Sequence, residues 1–391
     1  MHDALRAAVA AFDPPFGVLD AAALESNMAD LARRAGGTPI RVASKSVRMR
    51  MLLGRVLEHD GFSGVLCYSL PEAIWLHRSG FRDLVVAYPS VHRAALTELA
   101  TDDALAADIT IMVDGAEQLD LIDALCPYPG RATLRLCLEL DAAYRPMGRL
   151  VPIGARRSPI RTPRAAVELA REIDRRGGFR LVGLMAYEGQ IAGVGDAGSG
   201  PRARAVRAMQ RRSAAELAQR RPAVVAAVRQ VADLEFVNGG GTGSIESTRR
   251  DPAVTEIAAG SGLLGPGLFD HYTGFRPAPA AYFVVPVVRR PARSVVTVAG
   301  SGWIASGPPG PDRLPVPTYP AGLRYIGAEA AGEVQTPLRG CAARQLRIGD
   351  QVWMRHAKSG EVAEHLGEML LVDGGRVIEA VPTYRGEGKV F

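Results

Sequence analysis

Short apolar runs alternate with longer amphipathic segments from Phe16 to about Phe275, and this alternation limits the chain to a few folds. Short apolar runs bounded by turn residues are typical of buried strands, whereas apolar residues spaced three and four apart indicate helices. Eight strands that alternate with helices predict a (β/α)8 barrel, in which a parallel sheet closes without free edges. The predicted strands are Ile40–Ser44, Gly64–Tyr68, Leu84–Tyr88, Thr110–Val113, Thr133–Leu140, Leu181–Tyr187, Glu235–Asn238 and Val254–Ala258.

An open, doubly wound α/β sheet is the main alternative for the same alternation. Such a sheet usually has a glycine-rich turn after its first strand, whereas the glycine clusters of this chain follow its last strands. Pro222 interrupts a long helical stretch over Ala203–Val231, which predicts two helices or a kink. The other predicted helices include Ala21–Ala35, Pro71–Ser79, Ala116–Leu125 and Ala165–Arg176.

The pattern changes after Arg276-Pro277-Ala278-Pro279. The segments that follow are rich in β-branched residues, are separated by turn residues, and include few helical patterns. A chain of 391 residues also exceeds the usual size of one domain. We therefore predict an α/β protein with a barrel over residues 15–275 and a C-terminal β-rich domain over residues 276–391, which residues 1–14 could join.

Charge and cysteine usage exclude several classes of protein. The net charge is +6, but the arginines occur as scattered pairs and form no basic tract interleaved with aromatic residues, so nucleic-acid binding is not expected. No apolar run is long enough to cross a bilayer, and the N-terminus has no signal-peptide pattern. The four cysteines are widely spaced and predict no disulfide framework. A cytoplasmic enzyme is the expectation.

Lysine is rare in this chain. Of 47 basic residues only Lys45, Lys358 and Lys389 are lysines. An ε-ammonium can lose its proton in a protein, whereas a guanidinium stays charged, so a lysine kept in an arginine-rich chain can be one that is needed as an amine. Lys45 follows the first predicted barrel strand, where side chains face the mouth of a barrel. The alternative is that the three lysines are merely residual surface charges.

Two glycine-rich turns follow the last two predicted strands. One lies in Val237-Asn238-Gly239-Gly240-Gly241-Thr242-Gly243-Ser244, and the other is Ala259-Gly260-Ser261-Gly262. Successive backbone amides in such turns can bind an anion, and barrels often bind phosphate at this position. No Gly-Lys-Ser/Thr follows, so neither turn is a Walker loop. Either turn alone could be a plain tight turn, but their joint position favours a phosphate site.

A lysine at one strand end together with a phosphate-binding turn at others is typical of a pyridoxal-phosphate site. The lysine amine binds the aldehyde of the cofactor, the turn binds its phosphate, and the ring accepts electrons from a carbanion at Cα.

Several segments resemble one family in their order and spacing. They are Pro15-Phe16-Gly17-Val18-Leu19-Asp20, Arg41-Val42-Ala43-Ser44-Lys45, the segment from Gly80 to Pro89, Leu184-Met185-Ala186-Tyr187-Glu188-Gly189-Gln190, and Glu256-Ile257-Ala258-Ala259-Gly260-Ser261. They are similar to the fold-type III pyridoxal-phosphate enzymes, which have the alanine racemase N-terminal barrel. Among these, the chain resembles D-threonine aldolases and D-serine dehydratases, and in particular an actinobacterial group labelled amino acid deaminase/aldolase.

This resemblance implies a pyridoxal-phosphate site and a homodimer in which the β domain of one subunit closes the barrel mouth of the other. Lys45 would bind the cofactor covalently. Arg145 lies near the position of the family's arginine that contacts the ring hydroxyl, and Tyr187 would lie beside the ring. The implied cofactor-binding residues are Lys45, Arg145, Tyr187, Gly240, Gly241, Thr242, Gly260 and Ser261.

The C-terminal domain departs from the family pattern at one informative position. Val352-Trp353-Met354-Arg355-His356-Ala357-Lys358 resembles the segment in which these aldolases and dehydratases have a metal-binding His-x-Cys or His-x-Asp pair. Lys358 replaces the second ligand, and because a protonated lysine has no lone pair, a divalent metal is disfavoured. One hypothesis is that the Lys358 ammonium replaces the metal while His356 acts as base or acid. If a metal is bound, we expect His356 as a ligand, with Glu361, Glu364 or His365.

The leading prediction is a pyridoxal-phosphate lyase that acts on a β-hydroxy amino acid, of D configuration by resemblance, with Lys45, His356 and Lys358 as catalytic residues. The reaction is either retro-aldol cleavage or dehydration with deamination. One alternative is an amino-acid racemase, which needs a second base such as Tyr325 or Tyr384. A non-enzymatic pyridoxal-phosphate carrier and a metal-dependent barrel hydrolase are the remaining alternatives. The carrier would lack the C-terminal domain, and the hydrolase would need a His-x-His pair that this sequence lacks.

Overall fold

A computed structural model describes residues 3–146 and 151–391 of the chain. The chain divides into two compact units. One consists of Met1–Leu31, Ser46–Leu53 and Ser261–Val390, and the other consists of Ala32–Lys45, Gly54–Gly260 and Phe391.

The strands, in chain order, are β1 Phe16–Asp20, β2 Ile40–Ala43, β3 Phe62–Cys67, β4 Leu84–Val86, β5 Ile109–Val113, β6 Leu134–Glu139, β7 Phe179–Ala186, β8 Phe236–Gly239, β9 Glu256–Ala259, β10 Ala281–Ala292, β11 Val295–Ala299, β12 Val316–Tyr319, β13 Arg324–Tyr325, β14 Gln335–Arg339, β15 Gln351–Arg355, β16 Glu368–Asp373 and β17 Arg376–Pro382. The helices are α1 Asp3–Ala8, α2 Ala21–Ala35, α3 Arg50–Leu57, α4 Leu70–Arg78, α5 Arg93–Thr101, α6 Asp103–Asp108, α7 Ala116–Leu125, α8 Pro163–Arg176, α9 Gly189–Ala192, α10 Pro201–Val228, α11 Ile245–Thr248 and α12 Ser261–Leu264.

In the described part of the chain, strands β2 to β9 form a closed parallel barrel. Strand β2 pairs with β3 on one side and with β9 on the other, where Ile40 lies opposite Ile257. This last pairing closes the sheet, so the predicted barrel is confirmed and the open doubly wound sheet is wrong. All eight predicted strands are present, with ends that differ by one or two residues.

The helices agree with the prediction except at Pro222. The bounds of α2 and α7 are those predicted. Helix α10 is continuous and contains Pro222, so of the two alternatives the division into two helices is wrong, while the kink stays a prediction. A proline removes one backbone hydrogen bond, and packing of the buried residues near it, such as Val224 and Val225, offsets that loss. None of the helices described is both long and apolar enough to span a bilayer.

The barrel interior contains small and medium apolar side chains together with one charged cluster. The apolar side chains are Ala43, Leu66, Val85, Ala87, Met112, Cys137, Val182, Met185, Phe236 and Ala258. Buried Arg41 on β2 donates from Nε and Nη2 to the Glu256 carboxylate on β9, at 2.7 and 2.8 Å. Separation of β2 from β9 would leave these buried charges unpaired, which is costly. The ion pair therefore stabilises the pairing of β2 with β9 that closes the barrel.

The other unit contains a mostly antiparallel sheet in the order β13-β14-β11-β10-β1-β16-β17, with β15 paired to β10 and β12. Strand β1 is antiparallel to β10 and parallel to β16. The predicted boundary at residue 15 had counted Phe16–Asp20 with the barrel, and the pairing assigns this strand to the second sheet. The reason is packing, because Phe16 and Val18 belong to a core with Trp353 and Leu370.

Candidate active site

The alternation of side chains along the barrel strands identifies the residues that face the barrel mouth. Residues two apart in a strand point to the same face of a sheet. Cys137 is in the interior cluster, and Glu139, the last residue of β6, therefore faces inward. Ala43, the last residue of β2, is also in the interior cluster, and Lys45 lies in the short 3-10 helix that follows directly. Glu139 thus ends one barrel strand and Lys45 follows another, both at the carboxyl end, where barrel enzymes place their active sites.

Lys45 lies between two tyrosines. Its Nζ donates a hydrogen bond to Tyr88 Oη at 2.8 Å, and it lies 5.5 Å from the centroid of the Tyr88 ring and 6.0 Å from that of Tyr187. Burial would raise the pKa of Tyr88, but the Lys45 ammonium and the Arg157 guanidinium lower it overall. The amine therefore has a fixed position at the mouth, beside a phenol that can exchange a proton with it.

Arg157 is the arginine that the described structure places beside these tyrosines. Its guanidinium carbon lies 5.2 Å from the Tyr88 ring centroid and 4.8 Å from that of Tyr187. Arg145, which the sequence predicted for the cofactor ring, instead donates to Asp141 at 2.8 Å, and its side chain is 37% exposed. The role of Arg145 stays a prediction. Arg157 was missed because it lies in an irregular segment, where the sequence has no periodicity to assign its direction.

Glu139 is a buried carboxyl group at the same mouth. Its closest cation is Arg157, with 3.9 Å between Nη1 and Oε1, and its side chain accepts no hydrogen bond within the described residues. Burial raises the pKa of Glu139 to about 7; Arg157 opposes this rise, and Asp114 and Asp141 add to it. Glu139 can therefore gain or lose a proton near neutral pH. Strand alternation alone could have identified both it and Tyr88, which ended a predicted strand.

The first glycine turn approaches Tyr187 and Ala192 closely. Gly240 has a φ of +84°, which favours glycine. A Cβ on Gly241 would lie 2.8 Å from the Ala192 Cβ and 3.6 Å from Tyr187 Cε2. Thr242 follows and is buried. Of the predicted turn residues, Gly241 is thus next to the predicted aromatic residue, with backbone in place of a side chain.

The second glycine turn packs against the strand that leads to Lys45. A Cβ on Gly260 would lie only 2.7 Å from the carbonyl oxygen of Ala43. Gly260 therefore permits the approach of β9 to the end of β2, and glycine is required there for steric reasons whatever else the turn does. Ser261 begins the other unit, where its carbonyl accepts a hydrogen bond from Ser359 Oγ at 2.8 Å.

These barrel residues fit pyridoxal phosphate. The cofactor needs an amine for its aldehyde, flat apolar surfaces beside its ring, and backbone amides for its phosphate. Lys45 supplies the amine, Tyr88 and Tyr187 supply the rings, and the turn at Gly241 brings bare backbone close to Tyr187. Lys45, Tyr187 and this turn are therefore chemically suited to the cofactor.

His356 is buried in the second unit, directly after β15. Its Nδ1 lies 3.2 Å from the carbonyl oxygen of Ala281, which accepts the Nδ1 proton and leaves a lone pair on Nε2. Nε2 lies 3.5 Å from Ser359 Oγ, whose proton is donated to Ser261. Burial, with a contribution from Arg355, lowers the pKa of His356 to about 3. His356 is therefore neutral at physiological pH, and it is a weak base.

Lys358 lies two residues further on, and 44% of its side chain is exposed. Its Nζ donates to Ser306 Oγ at 2.5 Å and lies 3.9 Å from Glu361 Oε1. Glu361 in turn accepts the Ser306 N–H at 2.9 and 3.0 Å. Lys358 and Glu361 thus both contact Ser306, in the connection between β11 and β12.

The alternative metal ligands that the sequence suggested are not assembled around His356. Glu364 pairs with Arg48, and His365 stacks on the Trp303 ring at a centroid distance of 4.7 Å. Across residues 3–146 and 151–391, the structure has no cluster of three or more histidine, cysteine, aspartate or glutamate side chains suited to a metal ion. Of the tyrosines considered for a racemase, Tyr325 donates to the Pro315 carbonyl at 2.7 Å, and burial raises its pKa.

Comparisons with known proteins agree with this geometry. The chain is 28% identical over 249 residues to a 3-hydroxy-D-aspartate aldolase of Paracoccus denitrificans, a match that covers 63% of this chain and 59% of that relative. The chain thus matches less than two thirds of the relative's length. A D-threonine aldolase structure from Filomicrobium marinum has a TM-score of 0.77 at 21% identity, covering 97% of this chain and 96% of that one. A D-threo-3-hydroxyaspartate dehydratase from Delftia sp. HT23 has a TM-score of 0.70 at 18% identity, covering 96% and 98%.

The family model for the alanine racemase N-terminal domain matches residues 19–266, which is more than half of the chain. Enzymes with the alanine racemase fold use pyridoxal phosphate, so the predicted cofactor agrees with both the comparisons and the residues at the barrel mouth. The resemblance found in the sequence is confirmed, and the chain belongs to the alanine racemase N-terminal domain family.

Proposed function

We propose that this protein is a pyridoxal-phosphate-dependent lyase that acts on a β-hydroxy amino acid of D configuration. The observation that carries the proposal is the Lys45 amine, held 2.8 Å from Tyr88 Oη at the barrel mouth. The similar proteins support the substrate class, because their names refer to 3-hydroxy-D-aspartate, D-threonine and D-threo-3-hydroxyaspartate. Each of these amino acids has a hydroxyl group on Cβ.

The barrel residues have separate roles in this proposal. When bound, pyridoxal phosphate supplies an electron sink for a carbanion at Cα. Lys45 holds the cofactor aldehyde and, when released, can hold a proton near Cα. Tyr88 positions the Lys45 amine through its hydroxyl, and Tyr187 positions the ring. The glycine turns with Gly241 and Gly260 bind or border the phosphate, together with Thr242 and Ser261.

His356 and Lys358 act on the β-hydroxyl group in this proposal, which rests on their position in the family pattern. With a pKa of about 3, His356 is a weak base, so we propose that its Nε2 lone pair accepts a hydrogen bond from the substrate. In the resembling enzymes a second ligand at this position would help to bind a metal cation. Here the Lys358 ammonium supplies the positive charge in place of that cation. This ammonium polarises the β-hydroxyl or a carboxylate of the substrate.

Product analysis tests the proposal. The purified protein is expected to absorb visible light through the bound cofactor, and borohydride should remove that absorbance. D-Threonine, D-serine and 3-hydroxy-D-aspartate are then supplied with and without a chelator. An aldehyde product identifies an aldolase, whereas a keto acid with ammonia identifies a dehydratase. If the only reaction is inversion at Cα, the lyase assignment is wrong and the protein is a racemase.

The assembly and cellular location remain proposals. We propose a homodimer in the cytoplasm with a small amino acid as its substrate, on the basis of the family resemblance. Light scattering at micromolar concentration should give twice the mass of 41.6 kDa. An active monomer would contradict the dimer. A pyridoxal-phosphate carrier is less consistent with the fold, because the aldolase structure matches both units over 97% of this chain.

A further inference from the structure

A buried group of polar and charged residues lies beside the first glycine turn and outside the site described so far. Its members come from the end of β7, from α10 and from the segment after β8. They are Glu188, Arg221, Ser244, Thr248 and Asp251, each no more than 3% exposed. We refer to these five residues as the Glu188 network. Because it joins segments that are far apart in sequence, it fixes their relative positions.

The charges of the Glu188 network are arranged around one guanidinium. Arg221 donates to Glu188 Oε2, and its Nη1 lies 3.2 Å from Asp251 Oδ2. Burial raises the pKa of Asp251 against the effect of Arg221, and the nearby Glu188 carboxylate raises it further. A buried carboxylate requires a cation and hydrogen-bond donors. Arg221 thus supplies the cation and the hydrogen-bond donors for both carboxyl groups.

Hydrogen bonds lead from Glu188 to the backbone of the glycine turn. Thr248 Oγ1 donates to Glu188 Oε1, and Ser244 Oγ lies 3.4 Å from the same oxygen. Ser244 Oγ in turn accepts the N–H of Gly241 at 3.2 Å. The carboxylate therefore orients a hydroxyl that holds one amide of the turn.

The Glu188 network also limits the space behind the turn. A Cβ on Gly240 would lie 2.9 Å from Thr248 Oγ1, and a Cβ on Gly239 would lie 3.2 Å from Arg221 Nη1. The turn is thus packed directly on the network. Glu188 also follows Tyr187 in sequence, so the same carboxylate fixes the chain that carries the aromatic side chain beside Gly241.

We propose that Glu188 and Arg221 are positioning residues for the phosphate of the cofactor. They hold residues 239–244 in the conformation that binds phosphate, and they do so through Ser244 and Thr248. This inference rests on the proposed function, because it takes the glycine turn as the phosphate site. It predicts that substitutions in the Glu188 network weaken the binding of the cofactor's phosphate group more than the binding of its aldehyde and ring.

The affinities for pyridoxal and for pyridoxal phosphate can be compared to isolate the effect of the phosphate, because the two compounds differ only in that group. The dissociation constants of both are measured on the apoprotein by absorbance. In Glu188→Gln, the preference for pyridoxal phosphate over pyridoxal is expected to fall about tenfold or more, while pyridoxal binding changes by less than about twofold. Thr248→Val removes one donor to Glu188 and keeps the side-chain shape, and a fall of about threefold or more is expected.

Asp123→Asn is the matched control. Asp123 accepts from Arg131 Nη2 at 2.8 Å, and the Arg131 side chain is fully buried elsewhere in the barrel unit. This variant should lower the thermal midpoint while keeping the wild-type preference for pyridoxal phosphate. If Glu188→Gln does not fold, the preference of Thr248→Val for pyridoxal phosphate over pyridoxal tests the inference.

Two results would overturn the inference while leaving the proposed function intact. One is an unchanged preference in the network variants, and the other is an equal loss of affinity for both compounds, which would indicate a merely structural role. A wild-type protein that binds neither compound would instead overturn the proposed function, and this inference with it.

Discussion

Two of the three lysines occur in contrasting surroundings. Lys45 follows a barrel strand, is half-buried, and contacts Tyr88 through a 2.8 Å hydrogen bond. Lys358 lies in an irregular turn after β15, is 44% exposed at its side chain, and contacts Ser306 and Glu361 on the surface. A strand end in a closed barrel fixes the direction of a side chain, whereas a turn between loops does not. The direction of the Lys45 side chain therefore follows from the barrel itself, whereas that of Lys358 depends on contacts with the neighbouring loop.

The largest expected effect concerns Lys45. In Lys45→Ala the visible absorbance of the bound cofactor should disappear, and kcat should fall at least about a thousandfold, because no other side chain replaces the amine. Lys389→Ala is the matched control, since it removes the third lysine and should leave both properties unchanged. Absorbance spectra measure the bound cofactor, and steady-state kinetics measure kcat. An intact absorbance band of the cofactor in Lys45→Ala would contradict the contrast between the two lysines, because Lys45 would then not be the residue that binds the cofactor.

The second effect concerns the buried acid near Lys45. Burial raises the pKa of Glu139 from 4.5 to about 7. Between these two values the folded protein binds more protons than the unfolded chain, so stability falls as the pH rises through this window. The loss for the apoprotein is on the order of 3 kcal/mol between about pH 4.5 and 7. Urea unfolding at several pH values measures it.

Glu139→Gln should remove most of this dependence, since an amide does not titrate. The comparison is made within each protein across pH, so a uniform change in stability from the substitution does not affect it. A wild-type protein that becomes more stable from pH 5 to 7 by the same amount as Glu139→Gln would show that Glu139 is ionised throughout.

The third effect concerns Lys358. In Lys358→Met the loss of the ammonium should lower kcat about 10- to 100-fold, since charge-assisted hydrogen bonds of this kind contribute about 1.5–3 kcal/mol. Lys358→Asp creates the His-x-Asp pair that the family resemblance implies for a metal site, and it should make activity sensitive to a chelator. Kinetics with and without a chelator measure both. Full activity in Lys358→Met would show that this lysine is only a surface charge.

The smallest effect concerns the hydroxyl that contacts Lys45. Tyr88→Phe removes the 2.8 Å hydrogen bond and keeps the ring, so kcat/KM should fall about tenfold. Tyr187→Phe is the control, because the contact between Lys45 and Tyr187 is to the ring face, at 6.0 Å from the centroid. It should lower kcat/KM less than Tyr88→Phe does. Equal losses in the two variants would show that the Tyr88 hydroxyl has no particular role.

The regular parts of this fold were predictable from the sequence, because strands and helices produce periodic patterns. The predicted strand that ends near Lys45 is present, and Lys45 lies where it was expected. Residues Phe16–Asp20 were counted with the barrel because a short apolar run does not indicate which sheet it joins, and only the pairing of β1 with β10 and β16 does. Long-range pairing is not visible in local periodicity.

The candidate site was predictable where it follows strands and not where it follows loops. Lys45 follows one predicted strand and Tyr187 ends another, and Lys45 Nζ lies 6.0 Å from the centroid of the Tyr187 ring. Arg157 lies in an irregular segment, so the sequence favoured Arg145 instead. The shift in the pKa of Glu139 depends on burial by several distant segments, which a sequence pattern does not reveal.

Covalent mapping of the cofactor tests the central claim most directly. The purified protein is reduced with borohydride, digested, and analysed by mass spectrometry for the peptide that carries the pyridoxyl group. We predict that the group is found on Lys45 and is absent from Lys358 and Lys389. A modified peptide that contains Lys358 or Lys389, or no modified peptide from a protein with cofactor absorbance, would contradict the assignment.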